Sequence, residues 1–269
     1  MLCKGGNLKL PVFQIDAFAS KPFEGNPAAV CPLTQWLPDA LMQAIAAENN
    51  LSETAFFVQT ATGFHIRWFT PTTEVDLCGH ATLATAYVLF HCLAYQGDTI
   101  RFASRSGPLT VARQGKLLVL DFPARPGLLC KTPAAIIAAF GIEPVACLRS
   151  DDYIVVLKDE HAVAAAAPQL ALLRQLDRRG VIITAPAQQY DFVARFFAPK
   201  CGIDEDPVTG SAYTQLAPYW SAMLGRTALR ARQLSARGGE VGCELAGDRV
   251  LISGTATQYM QGSIELHAS

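Results

Sequence analysis

The stretch RWFTPTTEVDLCGHATLATAY, residues 67–87, returns in outline at 195–217 as RFFAPKCGIDEDPVTGSAYTQLA. Each copy begins with an arginine, two aromatics, a short residue and a proline. Each then passes through an acidic loop to a glycine that opens a run of Ala and Thr with helical character. A strand–loop–helix unit met twice predicts a duplicated fold, with the two helix starts facing one cleft. Chance likeness between two such units is the alternative.

A helix start has a definite chemistry. Its first backbone N–H groups have no partner within the helix, and the helix dipole adds partial positive charge. Such an end holds anions. Gly79 and Gly210 allow close backbone approach, and His80, Thr209 and Ser211 add side-chain donors. A small carboxylate-bearing substrate suits this pattern. No Walker A or GxGxxG stretch points to a nucleotide. Thr209 and Ser211 also fit plain helix caps. Asp204 and Glu205 read as solvated loop acids, whereas Asp206, beside Pro207, is placed in the cleft. Glu53, in NNLSETAFF (49–57), enters an apolar strand, and a desolvated acid there is suited to taking and returning protons. The competing reading is an ordinary glutamate at a strand edge.

Cys78 and His80 stand one residue apart, a poor spacing for a metal site, and His65, His91, His161 and His267 form no pattern. No metal is expected. A Cys78–His80 nucleophile pair lacks any accompanying oxyanion motif. Cys78 as a buried small apolar residue stays open beside these.

The chain has 269 residues, 51% hydrophobic and 17% charged, with a net charge of -1. That is an apolar-rich globular composition, long enough for one large domain or two. No Lys/Arg block appears, which argues against nucleic acid as a partner. The N-terminal residues do not read as a signal peptide, since Lys9 and Asp16 interrupt a short apolar stretch. No apolar run approaches a membrane span. The eight cysteines are scattered without a CxxC pair. A cytoplasmic protein without membrane contact is expected.

Pattern and punctuation predict strands over 10–18 and 28–33, a helix over 38–48, and a hairpin of 54–60 with 64–70. A helix over 80–92 and three strands between 99 and 123 follow. Helices at 133–140, 168–176 and 210–224 alternate with strands at 153–157, 180–184 and 190–197. Strands near 230–235, 241–246 and 250–254 come next, and 256–266 is strand-like again. The Pro- and Gly-rich segment 123–133 marks a domain boundary.

Five motifs in order carry a resemblance: IDAFASKPFEGNPAAV, AAENNLSETAFFV, RWFTPTTEVDLCGHATLATA, FFAPKCGIDEDPVTGSA and QLSARGGEVGCEL. Together they resemble PhzF-like proteins, the phenazine-biosynthesis isomerase family, from about residue 10 onward. The resemblance implies an α+β, diaminopimelate-epimerase-like fold. It consists of two similar domains, each a sheet wrapped around a central helix, with the active site between them. The domains would span 1–125, joined by a C-terminal strand at 257–269, and 126–256. The family commonly forms homodimers and uses no cofactor or metal. Its catalytic glutamate maps to Glu53, its GH motif to Gly79 and His80, and its ED-x-x-TGS motif to Asp206, Thr209, Gly210 and Ser211. These groups would hold the substrate carboxylate and relay or position protons, while Asn26 of the EGNP motif would shape the cleft rim. The implied activity is a cofactor-independent isomerase moving a proton on a small carboxylic acid by general acid/base catalysis. Phenazine isomerases have a small residue where Cys78 stands. Cysteine before glycine here resembles the related epimerases, which use two opposed cysteines. The second helix start offers Asp206 instead, with Cys201 several residues upstream. An epimerase or racemase of a small amino or hydroxy acid using Cys78 is therefore the second expectation. A catalytically silent binding protein is the third.

Overall fold

The computed structural model describes residues 8–266, so Cys3 and His267 lie outside the described residues. The chain divides into two compact units that are interleaved in sequence. Unit 1 takes residues 1–23, 27–120 and 255–269, and unit 2 takes 24–26 and 121–254. The change of unit thus falls at Leu120 and Asp121, just before the Pro/Gly-rich segment.

In unit 1, β1 (Leu8–Ala17) and β2 (Asn26–Leu33) lead to helix α1 (Asp39–Asn49). Strands β3 (Glu53–Thr60), β4 (Gly63–Phe69) and the short β5 (Glu74–Val75) precede helix α2 (Gly79–Tyr87). Strands β6 (Thr99–Ala103), β7 (Leu109–Gln114) and β8 (Leu117–Pro123) then lead towards unit 2. Strand β2 runs parallel to β3, β3 antiparallel to β4, β4 parallel to β6, and β6, β7 and β8 are successive antiparallel neighbours. The expected β3–β4 hairpin forms, with Thr60 opposite Gly63 and Val58 opposite His65.

Unit 2 opens with β9 (Leu128–Leu129), α3 (Ala134–Phe140), β10 (Ala146–Arg149) and β11 (Tyr153–Val156). Two short helices, α4 (Glu160–Ala165) and α5 (Leu170–Leu173), precede β12 (Val181–Pro186), β13 (Phe192–Ala198) and β14 (Ile203–Asp206). Helix α6 (Gly210–Leu224) and strands β15 (Ala228–Gln233), β16 (Gly239–Ala246) and β17 (Arg249–Gly254) complete it. The pairing repeats that of unit 1: β11 parallel to β12, β12 antiparallel to β13, β13 parallel to β15, then β15, β16 and β17 antiparallel. Strand β18 (Ala256–Leu266) returns to unit 1 antiparallel to β1, with a register shift at Gln14/Ile15.

The sequence echo is therefore structural. Arg67 on β4 grips both oxygens of Glu74 with Nε and Nη2, at 2.7 and 2.8 Å. Arg195 on β13 grips Glu205 in the same way, at 2.7 and 2.9 Å. Each guanidinium lies over the phenylalanine two residues on, Phe69 or Phe197. Bidentate pairing fixes the plane as well as the position of the carboxylate, so each loop reaches its helix along a defined path. Glu205 is consequently a paired acid and not a solvated one, whereas the Asp204 side chain is 65% exposed.

Each unit has an outer helix layer, a sheet and a central helix. In unit 1, Met42, Ile45 and Ala46 of α1 pack on Leu10, Cys31, Phe56 and Phe69. In unit 2, Ile136, Val163 and Leu173 from α3, α4 and α5 pack on Val155, Val181 and Ile183. Helix α2 is enclosed, and α6 is buried over most of its length before its last turn, Ala222–Leu224, emerges, as befits helices apolar on most faces. Residues Ala81 to Ala86 of α2 are all fully buried. The threonines among them satisfy their hydroxyls internally, Thr82 donating to the Cys78 carbonyl and Thr85 to that of Ala81. In α6, Pro218 removes the N–H that would meet the Thr214 carbonyl, and the Arg125 backbone N–H donates to that carbonyl instead, at 2.9 Å.

Short strands β5, β9, β10 and β14 were not expected from the sequence, and three helices differ from the sequence reading. The helix expected over 80–92 ends at Tyr87 and widens into a π-turn at Val88–Cys92, where the Leu93 N–H reaches the Val88 carbonyl. The helix expected over 168–176 is a single turn, since Pro168 and Gln169 start it late. Helix α4 was not expected, yet Asp159 caps it by accepting from the Ala162 N–H. No helix among the described residues is long and apolar enough to cross a membrane.

Candidate active site

Glu53 begins β3, and its parallel pairing with Ala28 of β2 fixes it at the mouth of the strand pair. His80 is the second residue of α2, and Cys78 is the N-cap. The three side chains meet in unit 1. His80 Nε2 lies 3.1 Å from Glu53 Oε2, and His80 Nδ1 lies 3.6 Å from Cys78 Sγ. All three residues are buried, between 5 and 8% exposed. The imidazole therefore stands between an acid and a thiol and meets each with a different ring nitrogen.

Burial raises the Cys78 thiol to about 11, reinforced by the Glu53 charge and opposed by His80. Burial disfavours the His80 imidazolium, but Cys78 and Glu53 outweigh it and hold the imidazole pKa well above its ordinary 6.5. A raised pKa in the folded state means that the stabilisation from His80 is complete below about pH 6.5 and fades as pH climbs through the folded value. Urea unfolding at stepped pH should show wild type losing stability above pH 6.5 relative to His80→Asn. Parallel curves for the two proteins would remove the imidazolium from the site.

The potential ligand atoms of these three residues lie within 4.8 Å of one another, a size that could also hold a metal ion. The spacing of Cys78 and His80 did not reveal this, because Glu53 joins from another segment. The ring, however, turns Nδ1 to sulfur and Nε2 to the carboxylate. That is the arrangement of a proton relay, whereas one ion gathering all three ligands needs them to converge on a single point.

Apart from Gly79, which opens α2, the other predicted residues lie in unit 2. Asp206, 7% exposed, ends β14. Its Oδ1 accepts from Asn26 Nδ2 at 2.8 Å, and its Oδ2 accepts from the Thr209 hydroxyl. Asn26 Nδ2 also donates to the Val208 carbonyl at 3.0 Å. Asn26 is thus a buried strut within unit 2. It is carried there by residues 24–26: the Arg237 guanidinium donates to the Glu24 and Gly25 carbonyls, and the Gly25 N–H donates to the Gly238 carbonyl. Thr209 does not cap α6, because its hydroxyl is turned to Asp206. Neither central helix has a side-chain cap, so the N–H groups at Gly79–His80 and Gly210–Ser211 keep the character of an anion site.

Two further groups support this second cluster. Gln233, fully buried, accepts from the Thr209 N–H at 2.9 Å and donates to the Asp206 carbonyl at 2.8 Å. Arg179 donates to the Ser211 hydroxyl at 3.0 Å while both oxygens of the fully buried Asp152 hold its guanidinium. Gln215 closes that network by donating to Asp152. Sequence reading did not single out Gln233, Arg179, Asp152 or Gln215. The first lies in the last quoted motif, and only its position directly before the LSARGG turn set it apart.

Comparison with known proteins places the chain among relatives of similar length. The family of phenazine biosynthesis-like proteins, PhzC-PhzF, matches residues 15–262. An uncharacterized isomerase of Pseudomonas aeruginosa is 54% identical over 259 residues, covering 96% of this chain and 100% of that protein. The crystal structure of a PhzF-family phenazine biosynthesis protein from Enterococcus faecalis superposes with a TM-score of 0.94 at 46% identity, covering 96% of this chain and 100% of the other. A hydroxyproline epimerase from Agrobacterium vitis shares the fold, with a TM-score of 0.63 at 8% identity, covering 100% and 95%. The epimerase-type architecture of two like units is thus common to these chains.

Proposed function

This chain belongs to the phenazine biosynthesis-like family, and on that premise we propose that it is a cofactor-independent isomerase that moves a proton on a small carboxylic acid. The observation that carries the reading is the buried Glu53–His80 contact of 3.1 Å. Glu53, as carboxylate, removes a proton from a carbon made acidic by the substrate's own carboxyl or unsaturated system, and returns it at another carbon. The His80 imidazolium holds Glu53 in place and keeps a proton within reach of it. The uncapped N–H groups of α2 stabilise the enolate-like charge that develops, an effect worth roughly 3–4 kcal/mol for one well-placed donor. In unit 2, Asp206 has both oxygens engaged, by Asn26 and Thr209, and serves to set the start of α6 for the carboxylate. The isomerase names of the relatives agree with this reading.

The 3.6 Å approach of Cys78 to His80 favours a second reading, an epimerase of a small amino or hydroxy acid in which Cys78 is one proton carrier. One experiment addresses both. Proton NMR of small unsaturated, amino and hydroxy carboxylic acids in D2O should show deuterium entering a C–H position with wild type. For the isomerase, label appears at a second carbon and Cys78→Ala keeps the exchange. For the epimerase, label stays at the original stereocentre and Cys78→Ala abolishes it. Absence of exchange across the panel counts against catalysis and favours a binding protein.

A further inference from the structure

Cys130 and Cys147 take no part in the chemistry above, yet they are the two sulfurs brought against each other in unit 2. Strands β9 and β10 run antiparallel with Leu129 opposite Leu148, which sets Cys130 opposite Cys147. The Cys130 N–H donates to the Cys147 carbonyl at 2.9 Å, and the two Sγ atoms are 3.7 Å apart. Facing residues of an antiparallel pair have Cα atoms about 4.5–5.5 Å apart, inside the range that a disulfide spans. Closing the sulfurs to bonding distance takes a relative movement of roughly 1.5–2 Å, which side-chain rotation alone can supply.

We propose that Cys130 and Cys147 form a reversible dithiol–disulfide site that reacts with small disulfide oxidants. The roles of the two sulfurs differ. Cys130 is partly exposed and meets the oxidant, whereas Cys147 is buried in the unit 2 core. Burial, together with the neighbouring Cys130, raises the Cys147 thiol to about 12, so it does not react first. The Cys130 thiolate attacks one sulfur of glutathione disulfide, forming a mixed disulfide and releasing one glutathione. The Cys147 sulfur then loses its proton and attacks the Cys130 sulfur, releasing the second glutathione as thiol. Two protein thiols are oxidised and one glutathione disulfide is reduced to two thiols. The new bond closes a loop that contains α3, whose Ile136 and Ala139 pack into the same core.

The test is to incubate the full chain with glutathione disulfide and to map its peptides by mass spectrometry without reduction. The expected product is a peptide pair cross-linked through residues 130 and 147, with two thiols fewer than the eight of the sequence. Dithiothreitol should restore all of them. The oxidised protein should melt roughly 5 °C higher. Cys147→Ala, oxidised in the same way, should stop at a single glutathione adduct on Cys130 and gain no thermal stability. A wild-type protein that keeps all its thiols, or that also stops at the Cys130 adduct, would overturn the proposal.

Discussion

Glu53→Gln should reduce turnover roughly a hundred- to ten-thousand-fold, the range typical of losing a positioned general base. The substitution is nearly isosteric. The amide fills the same space beside His80 Nε2, 3.1 Å from the Glu53 carboxylate in wild type, while the capacity to take a proton is lost. Substrate or product affinity and the melting temperature should change little, because the helix starts proposed to hold the carboxylate are untouched. The measurement is the rate of deuterium incorporation at carbon by both proteins, alongside ligand titration of each. Full activity in Glu53→Gln would locate the base elsewhere and dismantle the mechanism. The substitution also removes the charge that helps hold His80 protonated, so the imidazole of this variant should titrate at lower pH than in wild type.

Leu83→Ala should be the most damaging single truncation in unit 1. Leu83 lies in the middle of α2 and is fully buried between other fully buried residues. A helix enclosed on all sides has no free face towards which the hole can collapse, so the cost belongs near the top of the ~2–5 kcal/mol range for such changes. That corresponds to a fall of roughly 10 °C in the transition of unit 1. Leu117→Ala is the control. Leu117 is 41% exposed on β8, and its loss should shift melting by no more than about 1 °C. Similar shifts for the two variants would mean that α2 is not enclosed in this way.

Most of the architecture was legible because it is written locally. The Arg–aromatic–Pro–acid–Gly order of 67–87 and 195–217 encodes the loop pairing Arg67–Glu74 and Arg195–Glu205, and both units carry it out. Helix α6 has its predicted bounds, since Gly210 opens it and Gly225 closes it in the left-handed conformation. Local reading failed where distant partners decide the outcome. Asn26 reaches Asp206 across 180 residues of chain, and Gln215 reaches the Asp152 backbone N–H across 63. No periodicity or cap signal records such contacts, so neither the Asn26–Asp206 strut nor the Asp152–Arg179 network is visible in the sequence. The site divides in the same way. Cys78, Gly79 and His80 were legible as a motif, but that His80 would turn separate nitrogens to Glu53 and Cys78 follows only from β3 being seated beside the start of α2. The π-turn after α2 has no signal in the sequence that we can identify.

The interleaving of the units bears on the order in which a ribosome can complete them. Unit 2 receives residues 24–26 early and the rest as one continuous run from 121 to 254. Every part of it has therefore been synthesised by residue 254. Unit 1 has most of its strands by residue 120, yet β1 must wait for its partner β18, the last strand to emerge. Long sequence separations of this kind slow folding. The first-made unit is thus the last to be finished, with one edge of β1 unpaired throughout the synthesis of the second. A chain truncated after residue 254 should protect the amides of β12 and β13 from exchange while those on the β18-facing edge of β1 remain open.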